Sequence, residues 1–298
     1  MNTVGIVSPG AMGSAVGAAY LAVGNRAVTT VAGRSARTRS LAERAGLELL
    51  PDLDAVVSEA ALILSIAPPD QAIVIATELA AAASRTGARP LVADCNAVSP
   101  TTARELERIL GADGVDLVDA SISGGPPRED YRTRLYVSGP RSSEVAAAPP
   151  DRLDVRVVGN EVGIASAVKM CTASVYKGHT ALLVHALSTA AAHGVLPHVL
   201  DDLHDSFPRQ LDRAARLLAV AATKAERYVG EMREIAATQA NVGLTPALFE
   251  AMAEAYSELA QRPLAAEAPE AIAPDPSLAD VLEAIRAPRD DTDAGERT

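Results

Sequence analysis

We predict an α/β fold for this sequence, with a doubly wound parallel sheet at the N-terminus and an all-helical C-terminal domain. The first observation is that short apolar runs alternate with helical patterns over roughly the first 140 residues, as in parallel βαβ units. The second is a glycine-rich segment between the first apolar run and the first helical pattern. The third is the change after about residue 160 to long helical patterns with few strand signals.

The elements of the N-terminal part follow from local signals. Strands are expected where short runs are apolar or β-branched, and helices where apolar residues recur at helical spacing. The first helix ends at Gly24, and the fourth begins with Ser99 as its cap and Pro100 in its first turn, as helix starts favour. Strands are predicted at 3–8, 27–33, 60–68, 89–96, 116–124 and 133–139, and helices at 12–24, 36–46, 70–87 and 99–114.

The patterns beyond residue 160 are helical. Residues 161–194 form either one long helix or two helices broken near Gly178. Further helices are predicted at 198–204, 208–241 and 245–261.

These patterns divide the chain into an α/β domain over 1–160, a helical domain over 161–262 and a final segment over 263–298. The final segment begins as a linker rich in Pro, Ala and Glu. It is expected to continue as a short helix at 277–286 and a disordered tail at 287–298.

Composition limits the classes of function. The 298 residues suffice for two domains, and the net charge of −11 argues against nucleic acid or an anionic membrane as a partner. Two cysteines provide no disulfide framework and no CxxC metal site. The segment HVLDDLHD (198–205) is interpreted as an exposed acidic face, so no metal site is predicted. With no signal or transmembrane segment recognisable, we expect a soluble, cytoplasmic protein.

The segment GIVSPGAMG resembles the dinucleotide-binding pattern G-x-G-x-x-G, with Ser8 in place of the first glycine. A strand before it and a helix after it are the context of a Rossmann domain. Gly10 gives room for the cofactor and Gly13 for close helix–strand packing, and the pyrophosphate is expected on the amides of Ala11 and Met12. Ser8 is expected to make the turn with a negative φ. The alternative is a structural turn that merely contains glycines.

The residues after the second strand indicate NADP as the cofactor. NAD enzymes usually place an acid there for the ribose 2′-hydroxyl, but the sequence reads VAGRSARTR. Arg34 and Ser35 are expected to bind a 2′-phosphate, because a guanidinium holds phosphate through two parallel hydrogen bonds. Arg37 and Arg39 either assist or form a solvated basic start of the next helix.

From residue 3 to about 260 the chain resembles the β-hydroxyacid dehydrogenases, the group of 6-phosphogluconate and 3-hydroxyisobutyrate dehydrogenases. Four motifs in order support the resemblance: GIVSPGAMG, GRS after the second strand, DASISGG (119–125) and GIASAVK (163–169). It implies an NADP-dependent oxidoreductase that transfers a hydride between nicotinamide and a small hydroxyacid or its keto or aldehyde form.

By this resemblance Lys169 is the catalytic general acid and base. Only three of the 27 basic residues are lysines, and a lysine can give up a proton where an arginine cannot. The alternative is a surface lysine on an amphipathic helix. The family helix usually continues K-x-x-N, whereas here Thr172 and Ala173 follow. Thr172 and Tyr176 share the helical face of Lys169 and are expected to contact the substrate.

The resemblance also assigns the substrate turn. Ser123, Gly124 and Gly125 would offer a hydroxyl and backbone amides to a substrate carboxylate; the alternative is a plain glycine turn. Arg128, Arg132 and Arg134 either bind an anionic tail or are solvated loop residues.

The resemblance also implies that two further strand ends contact the cofactor. Asn96 follows a strand at the carboxyl edge, where ligands bind in such sheets, and would contact the nicotinamide ribose or carboxamide. Ala67 and Pro68 belong to a loop that would lie over the nicotinamide. Each stretch has the alternative of being only a strand end with its helix cap.

Two other functions remain open at this point. Related proteins reduce imines on the same architecture, although these commonly have another residue at the position of Lys169. A non-catalytic NADP-binding protein is the third possibility, because the asparagine after the lysine is missing. The resemblance also implies a homodimer formed through the helical domain, with a small, anionic molecule as substrate.

Overall fold

The computed structural model describes residues 3–287, and the chain divides into two compact units between Cys171 and Thr172. The first unit is built on an eight-stranded sheet, and the second is helical. The division lies inside a helix, beyond the boundary predicted at residue 160. None of the helices within residues 3–287 is both long and apolar enough to cross a membrane.

The first unit confirms the predicted α/β class. Its sheet has the order β3-β2-β1-β4-β5-β6-β7-β8 and every neighbouring pair is parallel except β6 and β7. The strands are Thr3–Val7 (β1), Arg26–Thr30 (β2), Glu48–Leu50 (β3), Leu62–Ser65 (β4), Leu91–Asp94 (β5), Leu117–Ser123 (β6), Thr133–Ser138 (β7) and Leu153–Gly159 (β8). The helices are Ala11–Ala22 (α1), Ala36–Arg44 (α2), Leu53–Glu59 (α3), Ala72–Thr86 (α4), Pro100–Ala112 (α5) and Ser142–Ala146 (α6).

Three features of the sheet correct the sequence prediction. Strands β6 and β7 are antiparallel rather than parallel, because the loop between them is too short for a crossover. Strands β3 and β8 were not predicted. Both lie at the edges of the sheet, where a strand is partly exposed and lacks a buried apolar run.

Alternate residues of the central strands enter two apolar layers, one on each face of the sheet. Leu62 and Leu64 of β4 pack with α1, whereas Ile63 packs with α3, α4 and α5. Strand order reverses at β1, which pairs with both β2 and β4. The carboxyl ends of β1 and β4 therefore form the switch point at which doubly wound sheets bind ligands.

The helical unit settles the alternatives left open for the C-terminal part. The segment around Gly178 is one continuous helix, and a Cβ on Gly178 would lie 3.5 Å from the Met252 sulfur. The single pattern at 208–241 is three helices, and the short helix predicted at 277–286 is confirmed. Residues 288–298 of the predicted tail lie outside the described residues. The helices are Ile164–Ala192 (α7), Leu196–Ser206 (α8), Pro208–Leu211 (α9), Ala214–Ala222 (α10), Ala225–Ala240 (α11), Ala247–Leu259 (α12) and Leu278–Arg286 (α13).

A buried polar cluster joins α7, α11 and α12. Lys177 forms an ion pair with buried Glu231, and its ammonium lies 4.2 Å from the ring centre of Tyr228. Arg227 adds a second ion pair to Glu231 at 3.2 Å, and the Tyr256 hydroxyl donates to the carbonyl of Lys177 at 2.7 Å. A lysine in this chain therefore also serves a structural purpose, through charge pairing inside the helical unit.

Candidate active site

A row of buried polar side chains crosses the carboxyl edge of the sheet. Ser65 on β4, Asp94 on β5, Asp119 on β6 and Ser138 on β7 are direct neighbours in register. All four are buried, and they point to the same face because their strands pair residue by residue. The row lies beside the end of β1, whose last residue, Val7, pairs with Ser65.

The turn after β1 corrects the prediction for Ser8. Its φ is +64°, in the left-handed region, rather than negative. The tight turn requires this conformation, because the Gly10 amide folds back to donate to the Ser8 carbonyl at 2.8 Å. The Ser8 hydroxyl is buried and has no hydrogen-bond partner among the described residues. Serine thus occupies a backbone position that favours glycine.

The N-terminus of α1 fits a dinucleotide pyrophosphate. No side chain caps this helix and its first turn holds no acid, so the first-turn amides, which include those of Ala11 and Met12, are not occupied by a capping group. A Cβ on Gly10 would meet no atom within 4 Å, which leaves room for a ligand. A Cβ on Gly13 would lie 2.6 Å from the Ser8 carbonyl oxygen, so this glycine allows the close helix–strand contact.

The segment after β2 presents basic and hydroxyl groups at a helix start. Arg34 is exposed, and Ser35 caps α2 by accepting from the Thr38 amide at 3.2 Å. Arg39 lies 3.9 Å from Glu43, which is the first acid after β2. The segment carries no carboxylate for a ribose 2′-hydroxyl before that residue.

Asn96 connects the ends of β4 and β5 inside the protein. Its side chain is 2% exposed, and its oxygen accepts from the Ala67 amide at 2.6 Å. Its nitrogen donates to Asp94 Oδ1 at 2.6 Å and to Ser65 Oγ at 3.2 Å. In this arrangement Asn96 orients the loop that Ala67 and Pro68 begin, and its contact with nicotinamide stays a prediction.

Burial raises the pKa of Asp94 to about 7. Hydrogen bonds with Asn96 and Ser65 lower the pKa, and the nearby charge of Asp119 raises it further. The Asp94 carboxyl group therefore titrates near neutral pH. It lies at the end of β5, next to the end of β4.

Asp119 is the first residue of the DASISGG motif, and the sequence alone indicates no role for it. Its buried carboxylate accepts from the amides of Gly163 and Ser166 at 2.9 and 3.0 Å, and from the Ser166 hydroxyl at 2.7 Å. The Ser138 hydroxyl also donates to it, at 3.0 Å. These donors join β6 to the start of α7.

Lys169 lies on the second turn of α7 and is partly buried. Its ammonium donates a hydrogen bond to the carbonyl of Ile122 at 2.8 Å, and Ile122 is the penultimate residue of β6. Because the paired stretch of β5 ends opposite Asp119, Ile122 extends past it at the carboxyl edge. The structure therefore brings Lys169 next to the start of the S-G-G turn.

The S-G-G turn packs against residues that follow it in the chain, up to the first residue of β7. Gly124 has a φ of +121°, and a Cβ there would overlap the Tyr131 hydroxyl. The Thr133 hydroxyl donates to the Gly125 carbonyl at 2.6 Å. Tyr131 is a second residue that sequence reasoning missed, because its distance from the motif along the chain hides the contact. Ser123 ends β6 directly before this turn.

The contacts predicted for the remaining site residues stay predictions. Thr172 and Tyr176 are on α7 in the second unit, where Tyr176 is 69% exposed. Among the predicted arginines, Arg134 pairs with Asp154 at 3.5 Å and Arg128 with Asp130 at 3.3 Å. Among residues 3–287 no group of three or more metal-ligating side chains is close enough to hold a metal ion.

Two families match the sequence. Residues 3–150 match the NAD binding domain of 6-phosphogluconate dehydrogenase, and residues 190–259 match a domain of unknown function, DUF1932. The strands and glycine turn described above fall within the first match.

Solved structures with the same fold include dehydrogenases and reductases. A conserved protein described as structurally similar to 3-hydroxyacid dehydrogenases has 26% identity and a TM-score of 0.64, covering 87% of this chain and 96% of that one. The 3-hydroxyisobutyrate dehydrogenase of Mycobacterium tuberculosis has 20% identity and a TM-score of 0.67, covering 96% and 100%. A variant of the Myxococcus stipitatus imine reductase bound to NAD⁺ has 20% identity and a TM-score of 0.57, covering 87% and 92%.

The fold and the glycine turn define a Rossmann-type, NAD(P)-binding oxidoreductase of the dehydrogenase and reductase class. Residues 3–150 therefore form an NAD binding domain of the 6-phosphogluconate dehydrogenase type, and the structural neighbours of the chain include proteins of the 3-hydroxyisobutyrate dehydrogenase type.

Replacing Ser8 should reveal the strain of the left-handed turn. Ser8→Gly and Ser8→Ala both remove the unpartnered hydroxyl, but only glycine also removes the Cβ from a backbone with positive φ. We expect Ser8→Gly to unfold with a free energy about 1 kcal/mol higher than Ser8→Ala, measured by urea denaturation. If the alanine variant were as stable as the glycine variant, the backbone at residue 8 would not be strained.

Asp94 should make stability depend on pH. Its pKa in the folded chain is above the ordinary value of 3.8, so the folded state keeps a proton that the unfolded state loses between pH 4 and 7. The free energy of unfolding of wild type, relative to Asp94→Asn, should therefore fall as pH rises from about 4 to about 7, by at most about 1.4 kcal/mol per pH unit. Urea titrations across this range measure it.

Asp54→Asn is the control for that experiment. Hydrogen bonds from Arg85 lower the pKa of Asp54 from its ordinary value of 3.8, so the stability of wild type relative to this variant should rise with pH only below about pH 5 and stay level from about pH 5 to 7. Parallel profiles for wild type and Asp94→Asn would show that Asp94 titrates normally.

Proposed function

We propose that this protein is an NADP-dependent oxidoreductase that acts on a small hydroxyacid or its keto or aldehyde form. Lys169 is the general acid and base of the reaction. The observation that carries the proposal is the Lys169 ammonium, held at 2.8 Å on the Ile122 carbonyl directly before the S-G-G turn.

The cofactor side of the proposal rests on two helix starts. The uncapped N-terminus of α1 and the open space at Gly10 suit the pyrophosphate. Exposed Arg34, with no acid before Glu43, suits a 2′-phosphate rather than a free ribose hydroxyl. Both observations support NADP over NAD.

Lys169 supplies the proton chemistry. A bound nicotinamide cofactor provides or accepts the hydride, and the substrate oxygen then gains or loses a proton. The Lys169 ammonium donates a hydrogen bond to that oxygen, stabilises its developing negative charge and delivers the proton. The neutral amine takes the proton back in the oxidative direction.

The S-G-G turn positions the substrate. The Ser123 hydroxyl and the backbone amides of Gly124 and Gly125 are donors suited to a carboxylate. The packing of the turn supports this role, since Tyr131 leaves no room for a side chain at Gly124 and the Thr133 hydroxyl donates to the Gly125 carbonyl. Thr172 and Tyr176 are proposed to complete the substrate contacts in place of the missing asparagine.

We also propose a homodimer formed through the helical unit. Val175, Tyr176 and Leu182 on α7 are each more than 60% exposed. Burying such apolar side chains against a second copy is favourable.

Arg34 should set the preference for NADPH. In titrations followed by nicotinamide fluorescence, Arg34→Ala should weaken NADPH binding by about 10-fold or more and leave NADH binding unchanged, because only NADPH carries the 2′-phosphate. Arg39→Ala, which removes an arginine paired with Glu43, is the matched control and should have a smaller effect. Equal loss of both nucleotides, or binding of neither, would contradict the cofactor assignment.

Lys169 should be needed for turnover and dispensable for cofactor binding. With NADP and a panel of hydroxyacids that includes 3-hydroxyisobutyrate, Lys169→Arg should lower kcat at least about 100-fold, since arginine does not release a proton. Its NADPH affinity should match that of wild type. Lys224→Arg, in the second unit, is the matched control.

The same panel separates the alternative activities. Reduction of cyclic imines without oxidation of any hydroxyacid would identify an imine reductase. NADPH binding with no turnover of either class would identify a non-catalytic nucleotide-binding protein.

A further inference from the structure

We propose that Asp119 is the positioning residue for Lys169: its carboxylate fixes the start of α7 on β6 and thereby holds the ammonium at the S-G-G turn. This inference rests on the proposed role of Lys169 in proton transfer. Asp119 binds the start of α7, at Gly163 and Ser166, and we infer that it acts on the ammonium through the helix.

The carboxylate is fully engaged at the helix start. It accepts four hydrogen bonds, from the Gly163 and Ser166 amides and from the Ser166 and Ser138 hydroxyls. The Ala165 amide donates to Ser138 Oγ at 2.9 Å, so a third amide is reached through that hydroxyl. Helix starts leave such amides without partners inside the helix, and a negative charge there also favours the helix dipole.

Strand β6 and helix α7 make a second contact at Lys169. Asp119 contacts Ser166, and three residues later on both elements Ile122 contacts Lys169. The two contacts have the same separation of 47 residues along the chain. The first turns of α7 are therefore anchored to β6 at one point and present Lys169 at the next.

Asparagine at position 119 would loosen this anchor. The Gly163 amide, the Ser166 amide and the Ser138 hydroxyl all donate to one oxygen, Oδ2, whereas the Ser166 hydroxyl donates to Oδ1. An amide keeps one acceptor oxygen for the Oδ2 position, places an N–H group opposite the Ser166 hydroxyl and removes the negative charge. The buried donors then bind a neutral acceptor, and these hydrogen bonds are weaker than those to a carboxylate. The helix start would shift, and with it the ammonium six residues after Gly163.

The test uses the fact that the chain has only three lysines. Reductive ¹³C-dimethylation of the full chain gives an NMR resonance for each lysine, and Lys169→Arg assigns that of Lys169. The resonance position and its pH titration are compared in wild type, Asp119→Asn and Ser166→Ala, with and without NADPH. Asp116→Asn is the matched control: it removes the same charge three residues earlier, where the carboxylate binds Arg141 at the surface.

The expected result is a shifted Lys169 resonance and an altered titration in Asp119→Asn. A smaller shift is expected in Ser166→Ala, which loses only the hydroxyl contact, and none in Asp116→Asn. In turnover assays Asp119→Asn should lower kcat about 10-fold or more, with NADPH affinity unchanged, because misplaced catalytic groups lose rate rather than cofactor binding. If Asp119→Asn does not fold, the Ser166→Ala shift decides.

An unchanged Lys169 resonance and titration in folded Asp119→Asn and in Ser166→Ala would overturn the proposal. A separate measurement, the turnover of Lys169→Arg, tests the proposed catalytic role of Lys169. If Lys169→Arg kept full turnover, Lys169 would have no catalytic role, while the resonance comparison would still report whether Asp119 positions it.

Discussion

The hydrogen bonds between the Asp119 carboxylate and the start of α7 are the interaction on which the site depends. A buried carboxylate with four donors replaces the water that this helix start would otherwise need. The interaction joins the strand that ends in the S-G-G turn to the helix that carries Lys169. The Asp119 side chain thus links strand β6 to the start of α7.

The row of buried polar side chains at Ser65, Asp94, Asp119 and Ser138 organises the sheet edge on both sides of Asp119. Asp94 organises Asn96 and, through it, the loop at Ala67, on the side where the cofactor is expected. Asp119 organises the side where Lys169 lies, and Ser138 supports it from β7. The strands are apolar up to this edge and become polar where ligands bind in doubly wound sheets. The mutual repulsion of the two carboxyls contributes to the raised pKa of Asp94, after burial.

Local signals were sufficient for much of the fold. The central strands are continuous apolar runs, and the side chains of Ser35 and Ser99 cap the helices that follow them by accepting from first-turn amides. These elements could therefore be predicted. Edge strands β3 and β8 lack a buried run and were missed. Two further differences have separate causes. The left-handed backbone of Ser8 follows from the local geometry of the strand-to-helix turn. The inward orientation of Asn96 depends on partners about 30 residues away.

We propose that the carboxyl edge of this sheet binds NADP and presents Lys169 to the substrate. A crystal structure with bound NADPH would decide whether it does. The pyrophosphate is expected on the amides of Ala11 and Met12, the 2′-phosphate in contact with Arg34, and the nicotinamide at the carboxyl edge. A cofactor bound away from the α1 N-terminus, or with its 2′-phosphate remote from Arg34, would rule out this mode of binding.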